Sequence, residues 1–217
     1  TFDRDLSSRF EIHDYFIAKS IRKLKPGGLG VFITSTATLD RSANLRNWVV
    51  NDGNADFIGA VRLNTGTFKN TVGTETSADI IIVRKRDEAG PAPYAVNMQS
   101  TITEREAPYE RIIKLPNGKV KTEAATAHMN YNKYFHDNPQ FMAGQMRFGF
   151  ESGVEIRPTE QRCVPTSDID QSRTLDSFIS ALPENIYTSA PAPATERIPQ
   201  AVEAPNSTKE GGLTIID

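Results

Sequence analysis

The chain has 217 residues, enough for one large domain or for a medium domain with an appendage. Its formal net charge is −2 and hydrophobic residues make up 38%, so no overall basic field marks a nucleic-acid protein, and any such contact must come from local patches. One cysteine, Cys163, excludes an internal disulfide and a cysteine-based metal cluster, and no apolar run reaches the roughly 18 residues a membrane span needs. With no signal peptide visible, these features predict a cytoplasmic protein.

Residues 10–24 predict a helix, because Phe10, Ile17, Ile21 and Leu24 recur on one stripe. Arg22, Lys23 and Lys25 gather at its C-terminal end, where the peptide dipoles favour cations. Pro26-Gly27-Gly28 stops it. The continuous apolar run 29–34 then reads as a strand buried on both faces, as in a parallel sheet under helices. The glycines of "LKPGGLGVFITS" therefore come after a helix end and before a strand. A phosphate-binding loop needs the reverse order, strand then glycines then helix, because the helix N-terminus carries the positive end of the dipole. The cluster is a corner rather than a phosphate cradle.

Asp40 or Ser42 caps a second helix over residues 43–51, whose apolar face is Leu45, Trp48 and Val49. Strands are predicted at 57–63 and 78–83, with a polar Gly/Thr loop between them that holds one large apolar residue, Phe68. The succession helix, strand, helix, strand, loop, strand reads as half of an α/β sandwich. After Gly90 the texture changes. Residues 112–120 predict a hairpin around Asn117-Gly118. Residues 124–150 carry aromatic and Met residues at irregular spacing and read as short helices or an extended arm. Residues 175–182 predict one more helix. Beyond Tyr187 the Pro/Ala/Ser/Glu-rich stretch reads as a disordered linker, and "LTIID" at 213–217 as the first strand of a further module. The expected organisation is thus a catalytic-fold half over 1–89, an extension over 90–187 and a linker over 188–217.

"LKPGGLGVFITSTATLD", then "DFIGAVRLNTGTFKNTVGTETSADIIIVRKR", resembles the N6-adenine DNA methyltransferases related to type I modification subunits, and most closely the methylase region of large methylase–helicase proteins of mobile elements. "YFHDNPQFMAGQM" and "LPENIY" resemble the segment downstream of the methylase region in those proteins. The resemblance implies the C-terminal half of a class I, Rossmann-like methyltransferase sheet. It implies S-adenosylmethionine as cofactor of a complete parent, DNA as partner, a missing N-terminal half, and a downstream helicase module. The family's cofactor loop, ribose-binding acid and Asn/Asp-Pro-Pro-aromatic tetrapeptide have no counterpart in this sequence, which contains no Pro-Pro. No methyl transfer, no catalytic residue and no cofactor-binding residue are therefore expected of this chain alone.

By the same resemblance Phe68 matches an aromatic that packs on an extruded adenine, where stacking offsets part of the cost of unstacking the base. Its small, polar neighbours also read as a loop anchor. Arg62 and Lys69, with Arg84 and Lys85, are candidates for DNA-backbone contacts, against ordinary solvated charge. His13 and Asp14 read as a cap and a packed imidazole. His128 and His136 lack partners at metal-ligand spacing, so no metal is expected. Cys163 has no nearby His and is no nucleophile. A second reading is a non-catalytic DNA-binding or scaffold module of a helicase-containing protein. A third is a methyltransferase acting on RNA, protein or a small molecule, since fold does not fix function.

Overall fold

A computed structural model describes residues 3–87, 98, 102–151 and 154–187. The expected boundary at Gly90, the linker over 188–217 and "LTIID" lie outside the described residues. The first predicted helix is present as α2 (Ile12–Lys23), preceded by a short α1 (Arg4–Ser7). Strand β1 (Leu29–Ser35) comes after the glycine corner, then α3 (Ala37–Asp40), α4 (Ala43–Val50) and β2 (Ala55–Leu63). The polar loop holds a single turn, α5 (Lys69–Val72), and leads to β3 (Ala78–Lys85). The corner is a backbone device. Gly27 adopts φ 74°, a left-handed conformation open to glycine, and its amide donates to the Lys85 carbonyl at 3.0 Å. The Gly28 amide is spent on the Lys25 carbonyl at 2.9 Å, so neither N–H is left for an anion.

The chain is a mixed α/β protein with three small antiparallel sheets. The first has the order β1-β3-β2, with β3 running against both neighbours. This corrects the expectation of a parallel, Rossmann-like sheet. All pairings within the sheets are antiparallel, and the one parallel bridge, Arg62 to Met142, lies outside them. It also corrects β1. That strand alternates between sheltered and exposed positions, with Val31 61% and Ile33 64% exposed. A short apolar run does not distinguish a two-faced central strand from a half-covered edge strand. Strand β2, by contrast, is buried at all nine positions.

The second half is more regular than its sequence predicted. The Asn117-Gly118 turn joins two long strands, β4 (Ile102–Lys114) and β5 (Val120–Asn132). A second hairpin pairs β6 (Gln145–Glu151) with β7 (Val154–Val164). Between the hairpins lie α6 (Lys133–Asp137) and a 3-10 turn (Pro139–Phe141), and α7 (Gln171–Ala181) closes the described chain. The expected irregular arm over 124–150 is thus largely strand. The alternation in β5 uses Ala and Thr where large apolar residues would have made it visible.

One hydrophobic cluster runs through both halves, with Ile21, Trp48, Phe57 and Val83 from the first and Met129, Tyr134, Phe135, Phe148 and Phe178 from the second. Tyr134 joins them at the centre. Its ring meets Phe57 edge-on at 5.2 Å between centroids, and its hydroxyl accepts from the Ala60 amide at 3.1 Å. No helix among the described residues is long and apolar enough to cross a membrane.

Candidate functional site

β1 and β2 end, and β3 begins, at the same end of the first sheet. Two polar clefts open there. The larger, about 540 Å³, lies between the start of α2 and the start of α4 and is lined by Ser8, Glu11, Asp14, Arg41, Ser42 and Asn44 among others. The smaller, about 280 Å³, lies between Thr36 and Arg41 on one side and Thr76, Gln161 and Arg162 on the other. Arg41 lines both. It is exposed, and its side chain has no hydrogen-bond or ion-pair partner among the described residues. Arg162 is bound to Glu160 at 2.9 Å, and Arg9 to Asp52 at 2.6 Å. Arg41 is thus the cation of these walls whose charge is not already offset.

The loop between β2 and β3 stands at this end and is tethered. The Asn64 side chain donates to the Ala143 carbonyl at 2.8 Å, the Thr65 amide to the Cys163 carbonyl at 2.9 Å, and the Thr67 hydroxyl to Gln171 at 2.7 Å. Phe68, the predicted stacking residue, is half-buried at the start of α5. Lys69, a predicted DNA-backbone contact, is exposed but paired with Glu75 at 2.7 Å, which raises its affinity for its proton.

Arg62, the other predicted backbone contact, is corrected outright. It is 0% exposed. Its guanidinium forks onto Asp79 through Nε and Nη2, at 2.8 and 2.9 Å, and Nη2 also reaches Asp40 at 2.9 Å. The group lies over the Phe135 ring at 4.3 Å, and the Asn132 amide supplies a further donor to Asp40 at 2.9 Å. No donor is left to reach a phosphate. Burial pushes the Asp79 carboxyl up, while the two carboxylates hold Arg62 charged. Sequence reasoning missed this cluster because a strand residue of type Arg reads as surface. A signal was nevertheless present: Asp79 and Arg62 stand inside continuous apolar runs, where a buried charge needs a partner. Arg84 is buried as well, and its Nε donates to the Ile186 carbonyl at 2.7 Å. Lys85 gives its ammonium to the Gly53 carbonyl at 2.6 Å.

The histidines and the cysteine lie apart from these clefts or at their margin. His13 is exposed, with its Nε2 3.3 Å from Asp14, and it is neither packed nor a cap. His128 and His136 are both exposed, on β5 and α6. Among the described residues no three His, Cys, Asp or Glu side chains converge as metal ligands. Cys163 is fully buried, and desolvation pushes its thiol up to about 12. Its amide and carbonyl bracket the Ser77 hydroxyl at 2.8 and 3.2 Å.

Over 160 residues the chain is 25% identical to the protein described as "Defense against restriction protein B" of Escherichia phage P1, covering 73% of this chain and 6% of that protein. The chain therefore spans about 6% of the length of this curated relative. No family model matches the chain, and no solved structure matches it. The likeness to N6-adenine DNA methyltransferases is overturned by this result, since the protein found is described by defence against restriction and no methyltransferase is found. The restriction-related, mobile-element setting agrees with that description at a coarse level.

Proposed function

We propose that the chain is a non-catalytic, DNA-holding module of a longer, restriction-related mobile-element protein. The observation that carries this reading is the pair of polar clefts at one end of the sheet, joined by an exposed arginine whose side chain has no partner among the described residues. Phosphate contacts supply most sequence-independent affinity for DNA, and an arginine already tied to a carboxylate contributes little to them. Hydroxyl groups of Ser8, Thr36, Ser42 and Thr76 around Arg41 add neutral donors for phosphate oxygens. Phe68, at the same end, offers an aromatic face to a base.

The relative's length supports the module part of the reading, since the matched region is a small share of that protein. In the same reading the three-stranded sheet is the end of a larger α/β sheet, continued at β1 by residues outside this chain. The module acts by holding DNA near the parent's other parts.

Fluorescence anisotropy with a labelled duplex, titrated at several salt concentrations, tests the reading. Affinity should fall linearly on a log–log plot against salt, and Arg41→Ala should lower the slope by about one. No binding at low salt, or a slope that Arg41→Ala leaves unchanged, would sink it.

A further inference from the structure

Two helices of eight or more residues begin on the larger cleft, α2 behind Glu11 and α4 behind Ser42. Neither of these cap residues bonds its helix's first amides through its side chain. Free N–H groups and aligned peptide dipoles make such starts attractive to anions. Arg41 adds a full positive charge to the same wall.

An opposite demand comes from Asp14, the third residue of α2. It is 5% exposed, lines the cleft, and its Oδ1 has no hydrogen-bond partner. The His13 ring nitrogen 3.3 Å away makes no hydrogen bond with it. A buried carboxylate oxygen without a donor is costly, and it marks a place where a donor is missing. The other acid of the lining, Glu11, is exposed and so screened by water. The cleft therefore calls for an anion and a hydrogen-bond donor a short distance apart, in a space of about 540 Å³ that suits a small ligand.

We infer that this cleft binds a nucleotide unit. Its phosphate rests on the starts of α2 and α4 beside Arg41, and an amine or hydroxyl of the same unit donates to Asp14. A free nucleoside monophosphate and a nucleotide within a DNA strand share this chemistry. The second source rests on the DNA-holding reading; the first does not.

Calorimetric titration of the full chain with inorganic phosphate, with the four deoxynucleoside monophosphates and with a short single-stranded oligodeoxynucleotide tests the inference. At least one monophosphate should bind about tenfold or more tightly than phosphate, since a charged hydrogen bond to Asp14 is gained. Arg41→Ala should weaken both, whereas Asp14→Asn should weaken the nucleotide and spare phosphate. Ser42→Asp, which places a negative cap at the start of α4, should weaken both and serves if the Asp14 variant unfolds. Equal affinity for phosphate and every monophosphate, or nucleotide affinity unmoved by Asp14→Asn, overturns the inference. Binding of monophosphates without the oligonucleotide upholds it for a free nucleotide and overturns the DNA-holding reading. Oligonucleotide binding that responds to Arg41→Ala but not to Asp14→Asn does the reverse. No binding of any of the three ligands overturns both.

Discussion

Arg62 is the residue on which most of the buried polar structure depends. It answers two carboxylates, Asp79 and Asp40, that are themselves cut off from water. Removing it leaves at least one of them buried without its counter-charge, and breaking such a pair typically costs about 3–5 kcal/mol. Arg62→Ala is expected to lower unfolding stability by that order in urea titration. Arg62→Lys should also lose stability, because an ammonium cannot reproduce the fork onto Asp79. Cys163 carries a second prediction. Its thiol is buried and its folded pKa, about 12, lies above the free value of 9.0, so the folded form keeps its proton longer. That contribution to stability is complete below the free value and is lost as pH rises from there toward about 12. Native protein at pH 8 should not react with a thiol-specific disulfide reagent, and the unfolded chain should react fully. The burial of both residues escapes the sequence for one reason: residue type alone does not say whether a side chain faces water. Arg62 sits on a strand whose every position is covered.

At the scale of elements, the two edges of the first sheet differ. The outer edge of β2 is covered: the Ala143 amide donates to the Arg62 carbonyl at 2.8 Å, and the Tyr134 hydroxyl takes the Ala60 amide. The outer edge of β1 has no pairing among the described residues, and Val31 and Ile33 project exposed beside it. Ile12 and Phe16 of α2 are exposed as well. An uncovered edge with apolar side chains invites pairing between chains. Val31→Lys with Ile33→Lys should reduce self-association in light scattering with little change in unfolding midpoint, since neither side chain is buried. A marked drop in the midpoint would mean that this face is packed in the isolated chain. The helices and strands of the first half were legible because their apolar spacing keeps to one period each. The β6–β7 hairpin was not, because its aromatic residues also fit an irregular arm.

The whole molecule is held together by contacts that cross from one half to the other. Asn132, Phe135 and Met146 complete the surroundings of Arg62, and Tyr134 and Phe178 crowd the backbone at Gly59. A chain cut after Asp87 would lose all of them and expose β2, whose nine positions are buried in the intact structure. Residues 1–87 alone are therefore expected to show helical and strand signals in far-UV circular dichroism but no cooperative unfolding transition. A sharp two-state transition for that piece would show that the sheet and its helices form a self-sufficient core.

From its sequence alone the chain declared the α2–β1–α4–β2–β3 succession, the corner at Gly27-Gly28, the turn at Asn117-Gly118 and the inertness of Cys163. Each of these is local, set by the spacing of apolar residues, by a backbone conformation that favours glycine, or by the absence of a neighbouring base. Tertiary structure decided the antiparallel order β1-β3-β2, the burial of Arg62, the covering of β2 by α6 and the segment after it, and the meeting of two helix starts at the cleft beside Arg41. Those outcomes join residues that lie 17 to 93 positions apart in the hydrogen bonds of the buried cluster. No local pattern encodes such a pairing. It is settled by which arrangement leaves the fewest charges and backbone groups buried without a partner.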